Sequence, residues 1–305
     1  MLCRGCEAMR ILISGAAGFL GTALSRRLRL AGDEAVPLVR RPALGNEVLW
    51  DPEQPLDPAK LGRCDALVHL AGKNIAGRWT EKFKREVLES RVNGTRTLAT
   101  AAAESFRRTG QPRVFVSASG ISYYGDRGDE LLTEQNEVGG GFLADVSWQW
   151  ETATAPASDA GLRVVCLRIG VVLARDGGAL QPLLRPFKLG LGGRIGSGEQ
   201  YWSWIALDDV IGTMMFALEN ESLSGPVNTV APTPVRNGEF VRALGGALHR
   251  PTIFPFPAFA VRTMLGEMGQ ELLLTSIRVA PQKLQEAGYE FRYENLEAAL
   301  HAILT

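Results

Sequence analysis

The stretch RILISGAAGFLG, residues 10–21, decides the fold of this chain. Its first five residues are typical of a buried strand; Gly15, Gly18 and Gly21 follow, and an apolar helical pattern begins at once. In such a turn the first glycine permits the sharp bend, the second lets the backbone approach a pyrophosphate, and the third lets the helix pack on the strand. The helix then directs free N–H groups and its positive dipole end towards the phosphates. The stretch predicts a dinucleotide-binding turn, with a purely structural strand–helix turn as the alternative.

Alternating strands and helices dominate the first half of the chain. The strand candidates are near-continuous apolar runs, as expected for strands that are buried on both faces of a parallel sheet. Predicted strands cover residues 10–14, 35–40, 65–70, 113–117 and 163–168, and predicted helices cover residues 19–31, 80–108 and 142–160. Right-handed crossovers between these units give an α/β fold with a doubly wound parallel sheet.

The pattern changes after Gly170. Glycines crowd residues 177–198, and the run PTIFPFPAF at 251–259 is broken by prolines. Helical patterns recur at 180–189, 208–219, 237–248 and 281–288, with one strand pattern at 227–230. We therefore expect a dinucleotide-binding domain over residues 9–170. Residues 171–305 are expected to form a smaller substrate lobe, interleaved with returns to the sheet.

Composition and charge argue against several classes of partner. The 305 residues carry a formal net charge of zero, so the chain has no global attraction to nucleic acid or to an anionic membrane. No apolar run approaches the ~18 residues of a transmembrane helix. Cys64 and Cys166 lie beside or within predicted strands, as reduced core cysteines do. These features predict a cytoplasmic protein without a membrane or nucleic-acid partner.

Residues 1–8, MLCRGCEA, precede a second methionine, Met9. They lack the apolar core of a signal peptide, so we expect a disordered N-terminal extension. Cys3 and Cys6 form a C-x-x-C pair without a second pair or a histidine cluster nearby. No metal site is expected from this arrangement.

The end of the second predicted strand indicates which dinucleotide binds. Folds that bind NAD place Asp or Glu there, on the ribose 2′-hydroxyl, whereas this chain has Arg40 and Arg41. Guanidinium groups match the geometry of a phosphate. The sequence therefore predicts NADP as the cofactor, with a solvated basic turn as the alternative.

Several segments resemble the extended short-chain dehydrogenase/reductases, namely SGAAGFLG (14–21), HLAG (69–72), VSAS (116–119) and YYG (123–125). Further segments resemble atypical epimerase-family proteins, which are sometimes labelled as sugar epimerases or as a cell-division inhibitor. They are ESR (89–91), YYGDRGDE (123–130), RIGVVLARDGGAL (168–180), RPFKLGLGGRIGSGEQYWSWI (185–205), VAPTPVRNGEF (230–240) and RVAPQKLQEAGYEF (278–291). The resemblance covers residues 9–304 and implies a Rossmann domain, a small C-terminal lobe and bound NADP, but no settled reaction.

The resemblance also implies where the chain contacts the cofactor. The contacts would come from the glycine turn, the arginine pair, the segment after the third long strand, the helix that follows it, and the RIG segment. The expected cofactor-binding residues are Gly15, Gly18, Phe19, Leu20, Gly21, Arg40, Arg41, Leu70, Ala71, Gly72, Glu86, Arg91 and Val172. Glu86 lies about one helical turn before Arg91 and is a possible partner for it.

Active enzymes of the resembled superfamily use a tyrosine to move a proton, and a lysine four residues later lowers the pKa of that tyrosine. Alignment on Trp150 and Glu151 puts Leu143 and Ser147 at those two positions. Neither side chain can do this chemistry, because a proton carrier needs a titratable group. The usual catalytic pair is therefore missing.

Three other residues are candidates for the chemistry. Ser119 matches the serine of the resembled family and lies at the carboxyl end of a predicted strand, where ligands bind in such sheets. Tyr123 and Tyr124 follow it and could present a phenol near the nicotinamide, with Arg91 as the cation beside it. The alternative is that both tyrosines are amphipathic wall residues.

The substrate segment departs from that of nucleotide-sugar enzymes. Sugar dehydratases of the resembled superfamily read G-x-G-x-Q-x-R-D-W, and the arginine clamps the substrate diphosphate. This chain reads GSGEQYWSW at 196–204, which puts Trp202 at the arginine position. Together with Tyr201 and Trp204, it is expected to form an aromatic surface instead of an anion clamp.

Two functions follow from these features, and nucleotide-sugar epimerisation is a third, which the absent diphosphate clamp disfavours. The first is an NADP-dependent oxidoreductase or epimerase-like enzyme that acts on a small carbonyl or alcohol, and Ser119 and the arginine pair favour it. The second is a non-catalytic NADP(H)-binding redox sensor or regulatory protein, with a possible link to cell division, and the missing tyrosine and lysine favour it.

Overall fold

The computed structural model describes residues 8–305. The C-x-x-C pair of Cys3 and Cys6, and with it most of the predicted N-terminal extension, lies outside the described residues. Within residues 8–305, no helix is long and apolar enough to cross a membrane. The same residues contain no group of three or more His, Cys, Asp and Glu side chains that could hold a metal ion.

Parallel strands form a seven-stranded central sheet. Its members are β1 (Arg10–Ser14), β2 (Glu34–Val39), β3 (Val48–Leu49), β4 (Ala66–His69), β5 (Val114–Gly120), β7 (Arg163–Ile169) and β12 (Gly225–Thr229). Their order across the sheet is β12-β7-β5-β4-β1-β2-β3, and each neighbouring pair is parallel. The order reverses at β1 and β4, so a crevice opens beyond their carboxyl ends. The predicted doubly wound sheet is confirmed.

The helices are α1 (Phe19–Ala31), α2 (Glu81–Thr109), α3 (Phe142–Thr152), α4 (Ala155–Asp159), α5 (Leu180–Lys188), α6 (Leu207–Glu219), α7 (Asn237–Ala247), α8 (Ala258–Gly269), α9 (Gln282–Glu286) and α10 (Leu296–Leu304). Short strands outside the main sheet are β6 (Leu131–Leu132), β8 (Val171–Ala174), β9 (Gly177–Gly178), β10 (Tyr201–Trp202), β11 (Trp204–Ala206), β13 (Val235–Arg236) and β14 (Arg278–Val279).

Helices cover both faces of the sheet. Because strand side chains alternate between faces, Ile11 of β1 packs with Leu24 of α1 and Met214 of α6 in one core. Its neighbour Leu12 packs with Leu98 of α2 in the core on the other face. Because helices bury both faces, the side chains on each face are apolar, and the strands are therefore apolar throughout.

The smaller lobe has a core of its own. Helices α5, α7, α8 and α10 pack around Trp204 and Phe240, which are both fully buried. Strand β12 belongs to the second half of the sequence, but it pairs with β7 in the main sheet. The boundary drawn at Gly170 stays a prediction.

Two regions differ from the sequence-based expectation. The helix expected over residues 142–160 is interrupted at Ala153 and Thr154, and α4 begins there with Pro156 in its first turn. Prolines fit at the first turn of a helix because the N–H groups there have no intrahelical acceptor. The PTIFPFPAF run at 251–259 contains the start of helix α8, which the sequence pattern did not predict, and Pro257 is the N-cap residue of this helix.

Candidate functional site

The glycine turn lies at the carboxyl end of β1 with its backbone exposed to the crevice. Gly15 has φ +73°, a conformation that favours glycine, and a Cβ there would lie 2.9 Å from the backbone nitrogen of Ala71. A Cβ at Gly21 would clash with the carbonyl oxygen of Gly15. Gly18 is the N-cap of α1 and has no side chain to bind the free amides of this helix end. The first-turn N–H groups are therefore available to an anion.

The structure brings several predicted cofactor residues to this turn. Leu70 and Ala71, just after β4, contact Gly15, and the ring of Phe19 packs against Gly177 of β9. Ala179 donates its N–H to the carbonyl of Val172, which ties the β8–β9 hairpin over the same end of α1. Elements far apart in sequence thus converge on one crevice.

Beneath the turn, two polar side chains form a neutral pair. Ser14 Oγ and His69 Nδ1 lie 2.5 Å apart, and both residues are fully buried. Burial lowers the pKa of His69 to about 3, and the charge of Arg91 adds to this effect. The imidazole is therefore uncharged at neutral pH and serves as packing under the crevice.

Arg91 projects from α2 into the crevice. Its Nη1 donates to the carbonyls of Lys73 and Val87, at 3.0 and 3.1 Å, and a Cβ on Gly72 would lie 3.2 Å from its Cζ. Its guanidinium lies 5.0 Å from the ring centroid of Trp150, and burial lowers its pKa to about 10. Arg91 thus lies against Gly72, the last residue of the HLAG segment, and against Lys73, which follows it.

The partner expected for Arg91 is wrong. Glu86 pairs with Lys73 at 2.5 Å, because the chain after β4 turns back over the first turns of α2. Lys73 also lies 4.9 Å from the ring centroid of Phe83. Glu86 therefore sits at the outer rim of the crevice.

The arginine pair lies at the carboxyl end of β2. Arg40 is exposed, and Arg41 donates from Nη1 and Nη2 to the two carboxylate oxygens of Glu47, both at 2.7 Å. The hydrogen bond of Arg41 lowers the pKa of Glu47. Sequence analysis missed Glu47, because only the closure of the loop between β2 and β3 brings its carboxylate to Arg41.

Ser119 belongs to a buried polar network. Its hydroxyl donates to Glu151 Oε1 at 2.7 Å, and Arg168 donates to both oxygens of Glu151 from Nε and Nη2, each at 2.8 Å. Burial opposes the charge of Arg168, but the hydrogen bonds and the charge of Glu151 still raise its pKa. The ion pair fixes the direction in which the serine proton points.

The two candidate tyrosines have different surroundings. The hydroxyl of Tyr124 is fully buried, lies 2.6 Å from Asn228 Oδ1, and accepts a hydrogen bond from Arg168 at 2.9 Å. Burial raises the pKa of Tyr124 to about 12. Tyr123 is half-buried, and its ring centroid lies 3.4 Å from the guanidinium carbon of Arg168. Hydrogen bonds hold the Tyr124 hydroxyl inside the protein, whereas the Tyr123 side chain is only partly buried.

Helix α3, which carries the positions of the usual catalytic pair, is capped by the smaller lobe. Leu143 and Ser147 are buried, and the carboxylate of Glu271 accepts from the N–H groups of Phe142 and Leu143 at 2.7 and 2.8 Å. Glu271 also lines a cavity of about 80 Å³ with Ser122, just beyond β5. Sequence reasoning missed Glu271, because it lies 128 residues beyond Leu143.

The expected aromatic surface is wrong for the two tryptophans. Trp202 and Trp204 are 6% and 0% exposed, because they form the core of the smaller lobe with Phe240. Tyr201 is half-buried, and the guanidinium groups of Arg236 and Arg278 lie 4.7 and 4.9 Å from its ring centroid. The two tryptophans therefore stabilise the core of the smaller lobe and do not form a binding surface.

Comparison with known proteins gives two family matches. Residues 11–230 match the NAD dependent epimerase/dehydratase family, and residues 256–303 match a domain of unknown function, DUF1731. Epimerase family protein Mb2239 of Mycobacterium bovis is 42% identical over 95% of this chain and 96% of its own length. Human epimerase family protein SDR39U1 is 38% identical over 97% of this chain and 100% of its own length.

A solved structure extends the likeness to the fold. The crystal structure of human SDR39U1 with NADPH superposes with a TM-score of 0.88 and 36% sequence identity. The match covers 97% of this chain and 99% of that one. The two chains therefore share the sheet and the smaller lobe.

Proposed function

Since the chain belongs to the NAD dependent epimerase/dehydratase family, we propose that it is an NADP(H)-dependent oxidoreductase acting on a small carbonyl or alcohol. The observation that carries the proposal is the exposed glycine turn at the uncapped start of α1, beside the arginine pair at the end of β2. The NADPH in the crystal structure of human SDR39U1 supports the choice of cofactor.

The residues present fit a dinucleotide phosphate. A Cβ at Gly21 would clash with the carbonyl oxygen of Gly15, so this glycine lets α1 pack closely on the turn and keeps its first amides beside the phosphate position. Arg40 and Arg41 would hold a 2′-phosphate, and Arg91 would hold the part of the cofactor that crosses the end of β4. When bound, the nicotinamide donates or accepts the hydride.

The remaining residues act on the substrate. β5 lies two strands from β1, about 10 Å at the usual strand spacing, so its end can meet the nicotinamide half of a dinucleotide bound at the turn. Because Ser119 donates its proton to Glu151, its free lone pairs would accept a hydrogen bond from a substrate hydroxyl. We assign proton transfer to the phenol of Tyr123. The guanidinium of Arg168 stacks on one face of its ring.

A redox sensor is the second candidate. Leu143 and Ser147 stand where the resembled enzymes carry their catalytic pair, and both are buried. The smaller lobe also exposes Ile253, Phe259 and Met264 by more than 70% each. Exposed apolar side chains of this kind are available to a protein partner.

The cofactor is tested by fluorescence titration of the full chain with NADPH and with NADH. We expect tighter binding of NADPH, and Arg41→Asp should weaken it by about 10- to 100-fold, as expected when a charge-assisted phosphate contact worth ~1.5–3 kcal/mol is lost. NADH binding should change little, because it has no 2′-phosphate. Equal NADPH affinity of the variant and the parent would contradict the cofactor assignment.

Catalysis is tested by a screen of carbonyl compounds that follows the loss of NADPH absorbance. An enzyme should turn over at least one class, and Tyr123→Phe should lower that turnover without changing NADPH affinity. A sensor should bind NADPH with the same affinity and turn over none. Undiminished turnover by Tyr123→Phe would remove the role assigned to that phenol.

A further inference from the structure

We propose that Glu47 competes with the 2′-phosphate of the cofactor for Arg41 and thereby limits the preference for NADP(H) over NAD(H). The inference rests on the proposed cofactor and concerns a residue that the arginine motif itself does not include. It follows from the geometry of the loop between β2 and β3.

Glu47 occupies one whole edge of the Arg41 guanidinium. Both terminal nitrogens of Arg41 donate to Glu47, each at 2.7 Å, and the N–H of Leu44 donates to Oε2 of the same carboxylate at 2.9 Å. The Glu47 side chain is 16% exposed, whereas that of Arg41 is 55% exposed. The loop therefore fixes the carboxylate, and the guanidinium is the partner that is free to turn.

This loop lies where the ribose 2′ position falls in a dinucleotide fold. Residues 40–47 connect β2 to β3, and Val39 at the carboxyl end of β2 is level with Leu49. The second strand of such folds ends at the 2′ substituent of the adenine ribose. Glu47 thus stands next to the phosphate position, with Arg40 and Arg41 as the neighbouring cations.

A carboxylate and a phosphate make the same kind of bidentate contact with a guanidinium. A phosphate can use the two terminal nitrogens of Arg41 only if Glu47 releases them. The hydrogen bond from Arg41 lowers the pKa of Glu47, so the carboxylate is ionised at neutral pH and repels the phosphate. Arg40 and Arg41 attract the phosphate, and the negative charge of Glu47 opposes it.

The size of the effect follows from the exposure of the pair. Exposed ion pairs stabilise little, because water screens them and ordering two side chains costs entropy. Displacing Glu47 should therefore reduce the affinity for a 2′-phosphate by about two- to fivefold. A ligand without that phosphate leaves the pair intact and loses nothing.

The test uses Glu47→Gln, which keeps the size of the side chain and removes its charge. Isothermal titration of parent and variant with adenosine 2′,5′-bisphosphate and with 5′-AMP separates the phosphate contact from the adenosine contact. We expect the bisphosphate to bind about two- to fivefold more tightly to the variant, and 5′-AMP to bind both proteins equally. The gain should shrink as salt is added, because screening weakens the charge of Glu47 in the parent.

Two further variants keep the result interpretable. Glu53→Gln removes the same charge at an exposed position and should change neither affinity. Glu47→Asp keeps the charge and should stay close to the parent. Thermal unfolding of each variant checks that the loop change leaves the fold intact.

Weaker bisphosphate binding by Glu47→Gln would overturn the inference and show that Glu47 orients Arg41 for the phosphate. Equal tightening of 5′-AMP would also overturn it, because the effect would then be independent of the 2′-phosphate. If the parent bound neither NADPH nor the bisphosphate, the proposed cofactor itself would fail. If NADPH bound and selectivity did not change, only the role of Glu47 would fail.

Discussion

At the scale of single residues, the floor of the crevice depends on a histidine that stays uncharged. Burial lowers the pKa of His69 to about 3, far below its value of about 6.5 in an unfolded chain. Its ring contacts Ser14 on one side and lies 5.9 Å from the ring centroid of Trp50 on the other. Protonation would place a charge in this closed space.

We predict that His69 makes the fold sensitive to mild acid. As the pH falls below about 6.5, the unfolded chain binds a proton that the folded chain does not bind, so the free energy of unfolding decreases. For one such group the decrease is about 1.4 kcal/mol per pH unit between pH 6.5 and 3, with no contribution above pH 6.5. Urea unfolding at pH 7.5 and 5.5 measures it, with His69→Gln as the comparison.

The parent should lose about 1.4 kcal/mol more than His69→Gln between those two pH values. Carboxylates with shifted pKa values, such as Glu134, are present in both proteins and cancel in the difference. Parallel pH curves for parent and variant would mean that His69 titrates alike in the folded and unfolded chains.

At the scale of elements, helix α3 begins with a cap from the other lobe. Its N-cap residue is Gly141, which has no side chain to bind the free amides. Glu271 does this instead, and Gly141 leaves room for it, because a Cβ there would lie 3.1 Å from the Glu271 Oε1 atom. The π-helical turn Gln270–Leu274 places that carboxylate at the helix end.

We predict that Glu271→Ala lowers the free energy of unfolding by about 1–2 kcal/mol, as expected for the loss of a helix cap. Glu271→Gln should lose less, because its amide oxygen can still accept one of the two hydrogen bonds. Urea unfolding measures the change, and Glu294→Ala, at an exposed acidic position, serves as the control. A Glu271→Ala variant as stable as that control would show that the cap contributes nothing.

At the scale of the whole molecule, the segment around Gly266 ties the smaller lobe to the sheet domain. Lys84 of α2 donates to both oxygens of Glu267 at 2.9 and 3.0 Å, and the N–H of Gly77 lies 3.4 Å from the sulfur of Met268. Gly266 breaks α8 with φ +59° and directs the following residues towards the sheet domain. These contacts join residues that are more than 180 positions apart.

We predict a coupling of about 0.2–1 kcal/mol between Lys84 and Glu267 in a double-mutant cycle. The lower end is expected, since the Glu267 side chain is 44% exposed and its charge is screened by water. Urea unfolding of Lys84→Met, Glu267→Gln and the double variant gives the coupling, and 0.5 M salt should reduce it. Additive single effects at low salt would exclude a contribution from this ion pair.

Local constraints explain which elements could be predicted from the sequence. The first strand and helix were predicted with the bounds that the structure has, Arg10–Ser14 and Phe19–Ala31, because one turn type and one apolar run dictate them. The glycine positions follow from steric limits on a backbone that must bend and then admit an anion.

Contacts between distant segments could not be predicted from the sequence. Glu86 was paired with the wrong cation, and Trp202 and Trp204 were expected at a surface that is the core of a lobe. Exposure is a property of what packs on a side chain, and a linear pattern in an irregular segment does not specify it.

The sequence by itself determined the parallel sheet, the glycine turn and the cationic end of the second strand, because each depends on residues that are neighbours in the chain. Only the tertiary structure decided which partners three buried or half-buried carboxylates meet. Glu47, Glu151 and Glu271 each take their partners from loop closure or from packing between elements. Such pairings are set by the relative positions of whole strands and helices, which no short stretch of residues encodes.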